Sequence, residues 1–335
     1  MTSIRGALAV AAIVAAAGSP GSSRPQRADS LRIERADAIV AADGSGQYRT
    51  VQAAIDAAPQ DTSASKRWLI YVKAGRYREI VYVQREKRFV TLAGAGADST
   101  TITYDLHAGM AGLDGRPIGT FRTPTLTIDA DDFSVESLTV ENAAGPVGQA
   151  LALRVDGDRV VFRKCRFLGW QDTIFVNRGR QYFEDAYIEG HVDFIFGGAT
   201  AFFERPRIHV RRDGYIAAAS TPAVERFGLV FARGEITGDA GVKTYLGRPW
   251  REHAQVTFLD MNMSDAVRPE GWHDWDRPER RTTARFVEYG SRGPGGNMHD
   301  RAGWARKVTE AEAAAITASS VLGGVDKWDP TAGRR

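Results

Sequence analysis

The sequence predicts an all-β solenoid, a parallel β-helix with one coil per repeat, and three observations lead there. The first is a repeat of bulky apolar, two free, mostly small, one free, bulky apolar positions, at 135–140, 162–167, 183–188, 203–208, 231–236 and 258–263. The steps vary while the pattern holds, as expected of a solenoid whose turns carry insertions. The second is composition: the units are too short for paired helices and rich in Phe, Val, Ile and Thr, which favours strands. The third is a near-duplication. Residues 162–175 end in Asp172-Thr173-Ile174-Phe175, and residues 183–196 end in Asp193-Phe194-Ile195-Phe196, so each copy opens on Phe and places an Asp ten positions later.

The elements follow in order. Residues 39–42 read as a short strand and 43–46 (Asp-Gly-Ser-Gly) as a turn. Thr50 caps a helix over 51–58, stopped by Pro59, whose apolar face of Val51, Ala54, Ile55 and Ala58 would close the open end of the solenoid. Strands are expected over 68–72, 80–83, 89–93 and 100–104, with a turn at 75–79. A strand follows at 125–128, the clear repeats begin at 133–140 and lead on through 151–155, residues 201–210 and 214–218 make another coil, and 286–289 is a late strand. Residues 293–296 form a loop, Thr309 and Glu312 a capping box for a C-terminal helix reaching about 318, and the tail beyond Pro330 frays. No linker divides the chain.

The 335 residues, 43% hydrophobic, can bury a large core, and the net charge of +3 suits an anionic partner as well as a merely solvated surface. No nucleic-acid motif accompanies that charge. The single cysteine, Cys165, falls on a small inward position and reads as a buried thiol. The six histidines lack zinc-type spacing, and His191, two before Asp193, is a weak metal signal. Residues 1–17 resemble a secretory signal, with Arg5 ahead of an Ala/Val/Ile run too short to span a bilayer. Residues 18–30 read as an unstructured lead-in, so the expected division is 1–30 leader and 31–335 catalytic β-helix.

The duplication carries the chemistry. If one copy stacks on the other, Asp172 and Asp193 lie roughly 4.8 Å apart, the spacing of neighbouring strands. Two carboxylates so placed repel, and one keeps its proton while the other ionises. The plainer alternative is a pair of exposed turn aspartates. Gln149 and Gln171 flank them, and an amide can donate to a developing oxyanion. Arg248 can pair with a carboxylate, and Trp250 can present a flat face to a sugar ring. A surface salt bridge and a core tryptophan stay open for these two. Trp272 and Trp275 either line a groove or pack.

The blocks DGSGQYRTVQAAIDAAP from Asp43, GTF around Thr120, GQALALRV from Gly148, GWQDTIF from Gly169, GRQYF, YIEGHVDFIFG and YLGRPW from Tyr245 together resemble the pectin methylesterases. The likeness runs from about Val40 to Pro330. It implies a single-stranded right-handed parallel β-helix and a carboxylic ester hydrolase that releases methanol from methylated galacturonate units of pectin. By the resemblance Asp193 is the nucleophile and Asp172 the general acid and then base. Gln171 and Gln149 stabilise the oxyanion, Arg248 holds the nucleophile, and Thr120 and Trp250 contact substrate. It implies no metal or cofactor, no nucleic-acid partner, no stable membrane association, and a secreted monomer, extracellular or periplasmic. Gly198 departs from the Asn common after FIFG, and Cys165 lacks the partner cysteine of plant-type members, Ala186 standing one coil on. These departures suggest a bacterial-type member. The other readings are an esterase or thioesterase of this fold on another substrate, a β-helix glycosidase or lyase, and a non-catalytic solenoid that binds polysaccharide.

Overall fold

In the computed structural model of the chain, residues 1–2 and 32–332 are described. The chain divides into Met1–Arg35 and Ala36–Arg335. In the first unit, residues 32–35 are helical. The secretory segment and lead-in expected over 1–30 lie, apart from Met1 and Thr2, outside the described residues.

The second unit is all-β, and its named strands pair in parallel. Eleven strands, Ala38–Val40, Trp68–Val72, Val90–Gly94, Ser134–Glu136, Val160–Arg163, Arg180–Glu184, Thr200–Glu204, Leu229–Ala232, Gln255–Leu259, Arg285–Tyr289 and Arg306–Lys307, lie side by side in chain order. Each successive strand in that sheet is one coil further along. The remaining walls belong to one larger sheet, joined because the long strands Tyr187–Gly197 and Arg207–Ala219 run through a corner of the coil. The β-helix expected from the repeat is therefore the fold.

The repeat has a physical cause. Its first apolar position is one column of the core: Val135 opposes Phe162, which opposes Phe183, then Phe203, Phe231 and Phe258. The five rings stack face to face at centroid spacings of 4.4, 4.4, 4.6 and 4.6 Å. Parallel registry places identical side chains one strand apart, the offset-stacking distance aromatic rings prefer. Between the two sides of each repeat the chain turns the corner on one left-handed residue: Ser137, Lys164, Asp185, Arg205, Arg233 and Asp260 have φ of 54°, 51°, 52°, 49°, 59° and 53°. The small inward residue next to that corner is Cys165 in one coil and Ala186 in the next, both buried, and burial pushes the thiol up to about 12.

The column ends differently. Phe258 opposes Glu288, which is 2% exposed and receives two hydrogen bonds from Arg301, at 2.8 and 3.0 Å. Arg301 also donates to the carbonyls of Gly295, Arg268 and Pro269. The coil of Arg285–Tyr289 thus carries an ion pair that anchors the loops around 268–269 and 293–296. Arg301→Met is expected to lower unfolding stability by about 3–5 kcal/mol, because Glu288 is left buried and unpaired. The double change to Glu288→Leu with Arg301→Met should recover much of that loss. Urea melts of the single and double variants measure both, and equal stability of wild type and Arg301→Met would refute the assignment.

At the other end, Thr50 caps the helix Val51–Ala57 by accepting from the Ala53 N–H, and Val51, Ala54 and Ile55 enter the core. Two expectations are corrected. Gly75–Arg78, read as a turn, is a strand, because Thr100–Tyr104 in the next coil supplies its hydrogen-bonding edge. The single C-terminal helix is two, Glu310–Ala314 and Ala318–Leu322, since Thr317 starts a second capping box within the expected span. The tail is tied down as far as Pro330, whose carbonyl accepts from Arg163, while Arg180 lies over Trp328. Residues 333–335 lie outside the described residues.

Candidate active site

The site is built on the two duplicated coils. Ile174 opposes Ile195 and Phe175 opposes Phe196, so Asp172 and Asp193 stand at equivalent places in adjacent coils, and the Asp172 N–H donates to the Val192 carbonyl at 3.1 Å. Both aspartates are left-handed, φ 64° and 51°. Asp tolerates that region better than most residues. The turn needs glycine three residues earlier in each copy. A Cβ on Gly169 would come within 2.6 Å of the Thr173 side chain, and one on Gly190 within 2.4 Å of Phe194 and 2.6 Å of the Trp170 carbonyl. The Gly-x-x-Asp spacing shared by the copies is thus a steric requirement of the turn.

The two carboxyls are unlike. Asp193 is held by Arg248, whose Nε and Nη2 donate to its two oxygens at 2.8 and 2.6 Å. Arg248 comes from two coils further on: Phe196 opposes Ala218, and Ala218 opposes Arg248. The small Ala218 between them lets the long side chain lean back to Asp193. Burial raises the Asp193 carboxyl above its ordinary value, and the two Arg248 bonds work against that rise. Asp172 makes no side-chain hydrogen bond among the described residues. Burial first, and then repulsion from Asp193, push it up to about 8, against a smaller pull from Arg248. The ion pair with Arg248 favours the charge on Asp193, while burial and repulsion favour the proton on Asp172.

A cleft of about 320 Å³ opens over this pair, lined by Thr120, Phe121, Gln149, Gln171, Asp172, Asp193, Phe196, Ala218, Arg248, Trp250 and Trp275. All seven residues singled out in the sequence lie on it. Gln149 and Gln171 are bridged across adjacent coils, and neither side-chain amide is hydrogen-bonded to the protein among the described residues. Both amides are free to donate into the cleft. The floor is apolar: Leu151, Phe175, Phe196 and Ala218 are buried together, with Trp250 edge-on to Phe196 at 5.7 Å. Phe121 packs on Phe175 at 5.0 Å and remains 46% exposed at the rim.

Of the paired tryptophans, Trp275 lines the cleft and Trp272 is core. Sequence reasoning missed Tyr215, whose ring centroid lies 3.7 Å from the Arg248 guanidinium carbon. No local motif marks it, since the contact joins different coils. Phe175 and Phe196 were visible as the ends of the duplicated blocks, and their shared offset was the signal for the cleft floor. His273, Asp274 and Asp276 bring ligand-type atoms close together, but Asp274 is paired with Arg281 and the His273 Nδ1 accepts from the Trp275 N–H, so these groups shape their own loop.

Comparison with known proteins identifies the family. The family model described as pectinesterase matches residues 37–325. Pectinesterase 31 of Arabidopsis thaliana is 41% identical over 82% of this chain and 88% of its own length. Pectinesterase 4 of the same plant is 36% identical, with the match spanning 51% of its length. Among solved structures, the pectin methylesterase from carrot superposes with a TM-score of 0.80 at 33% identity, over 86% of this chain and 93% of the other. PemA from Erwinia chrysanthemi gives 0.76 at 30%, over 88% and 98%. A pectin methylesterase mutant solved with a bound hexasaccharide gives 0.76 at 31% over the same shares. These sequence relatives are plant proteins, so they lend no support to a bacterial-type assignment. With the family model and these relatives matched along most of its length, this chain belongs to the pectinesterase family.

Proposed function

We propose that this pectinesterase removes methyl groups from galacturonate units of pectin, with Asp193 as nucleophile and Asp172 as acid and base. The observation that carries the reading is the asymmetry of the stacked pair: one carboxyl is ion-paired with Arg248, and the other has no side-chain hydrogen bond and is pushed up by burial and by its neighbour. An ionised Asp193 oxygen attacks the C6 carbonyl carbon. A carboxylate is a weak nucleophile, so fixed placement supplies much of the acceleration. The carbonyl oxygen becomes an oxyanion and takes hydrogen bonds from Gln149 and Gln171. As the carbon–oxygen bond to the methoxy group breaks, Asp172 gives its proton to the leaving oxygen, and methanol departs. The acyl group now sits on Asp193 as a mixed anhydride. Asp172, ionised, takes a proton from water, and the hydroxide attacks the anhydride carbonyl. Asp193 is released as a carboxylate, and the new galacturonic acid sheds one proton to solvent.

Thr120, Phe121 and Trp250 line the walls that would hold the sugar rings, and the net positive chain suits a polymer that gains negative charge with each turnover. Pectin is a polymer of the cell wall, which supports a secreted, extracellular or periplasmic location. Among the described residues no helix is long and apolar enough to cross a membrane.

The test follows two products from highly methylated pectin in one reaction. Methanol should accumulate without new reducing ends or unsaturated ends. New reducing ends would instead mark a hydrolase of the backbone, unsaturated ends a lyase, and neither product a binding protein or an esterase of another substrate.

A further inference from the structure

Arg248 is gripped on three sides. Its edge faces Asp193, and its two flat faces are covered by aromatic rings: Tyr215 on one side and Trp275 on the other, each with its centroid 3.7 Å from the guanidinium carbon. Both distances are well inside the range for cation–π attraction. Tyr215 is itself backed. Tyr245 stacks on it at 5.4 Å and 11°, and His273 packs against the two rings at 5.3 and 5.1 Å. Beyond Tyr245 lies the Arg268 guanidinium, at 5.2 Å.

The Trp275 side carries a second, independent sign. Trp275 has φ 66°, a left-handed backbone that is a genuine outlier for so bulky a residue. The conformation is held by the Trp275 N–H donating to His273 Nδ1 at 3.0 Å, by the Asp276 N–H donating to Asp274, and by Arg281 anchoring Asp274. Strain maintained by surrounding bonds, with its product an indole over an arginine, points to use of that indole.

We infer that Tyr215 and Trp275 are positioning residues that clamp the Arg248 guanidinium in one plane and thereby fix the plane of the Asp193 carboxylate for attack. The inference rests on the reading of Asp193 as nucleophile. A guanidinium free to rotate about its last side-chain bonds keeps one of its two hydrogen bonds as easily as both. One with both faces covered cannot turn, and a two-point pair then sets the direction of the attacking lone pair. Tyr215 is the cleaner probe, because Trp275 also lines the cleft and meets substrate directly.

Tyr215→Leu is expected to lower kcat roughly tenfold, the scale of one desolvated cation–π contact, while KM stays within about twofold. The acid limb of kcat/KM should move to higher pH, because a looser Arg248 no longer holds the Asp193 carboxyl down as firmly. Tyr215→Phe keeps the ring and should match wild type in both respects. A Tyr215→Leu enzyme with unchanged kcat and acid limb, beside an inactive Asp193→Ala, overturns the clamp alone. Equal losses in Tyr215→Phe and Tyr215→Leu also overturn it, since the ring would then not be the agent. An active Asp193→Ala removes the nucleophile reading and the clamp with it. Should Tyr215→Leu not fold, Trp275→Leu in the outer loop takes its place. It is expected to raise KM and shift the same acid limb, and an unmoved limb overturns the proposal.

Discussion

Asp193→Ala is expected to lower methanol release from methylated pectin by roughly 10⁴-fold or more, the scale seen when a nucleophile is removed from an otherwise intact site. The size follows from what the residue supplies. With no carboxylate, no anhydride forms, and the free amides of Gln149 and Gln171 can polarise an ester only toward attack by water. The same change has a structural cost. Arg248 loses both partners of its hydrogen-bonding edge while remaining enclosed by Tyr215 and Trp275. Asp193→Ala should therefore be measurably less stable than wild type. Asp193→Asn keeps the shape and one acceptor, so it should be as inactive but closer to wild type in melting temperature. Pectin binding should persist in both variants, because Thr120, Phe121 and Trp250 are untouched. Methanol release, thermal melts and polymer binding separate the three effects. Activity within tenfold of wild type in either variant would refute the nucleophile assignment.

What was legible in advance and what was not divides along physical lines. The 21-residue offset between the duplicated blocks translated directly into Asp172 beside Asp193, because parallel in-register strands map a constant sequence offset onto one strand spacing. The Phe column was legible for the same reason. Gly75–Arg78 was not: Gly-Arg-Tyr-Arg has the local character of a turn, and the partner that makes it a strand lies one coil away. The two-helix C-terminus was obscured because a capping signal at Thr309 says where a helix starts and little about where it stops. Arg248 was found through a block of sequence, but its route to Asp193 depends on Ala218 being small, and its clamp depends on Tyr215, two coils' worth of sequence that no single motif spans. Chemistry carried by adjacent coils can be read from an offset. Chemistry carried across a skipped coil requires the fold.

Asp172→Asn is the sharper test of mechanism, because it should change the form of the kinetics as well as the rate. Loss of a general acid–base residue costs roughly 10²–10⁴-fold, and the upper end is expected for a leaving group as poor as methoxide. In the wild type, Asp172 must hold its proton in the first step, so kcat/KM should fall as pH rises through about 8. The Asn variant has no such proton to lose, and that alkaline limb should vanish. An ester with an acidic leaving alcohol needs no proton donor, so on that substrate the first step should be nearly normal. The second step still lacks its base. The variant should then release about one equivalent of alcohol per enzyme in a burst and stall as acyl-enzyme. Stability supplies an independent reading with the opposite sign. The folded-state pKa of Asp172 lies above its unfolded value near 4, so the folded state binds the extra proton and wild-type stability declines as pH rises from about 4 to 8. Asp172→Asn escapes that decline. Its melting temperature relative to wild type should rise across this interval and level off above it. A variant that keeps the alkaline limb, shows no burst with the activated ester and gains nothing in stability with pH would leave Asp172 without the role argued for it, and the stacked pair would then act through Asp193 alone.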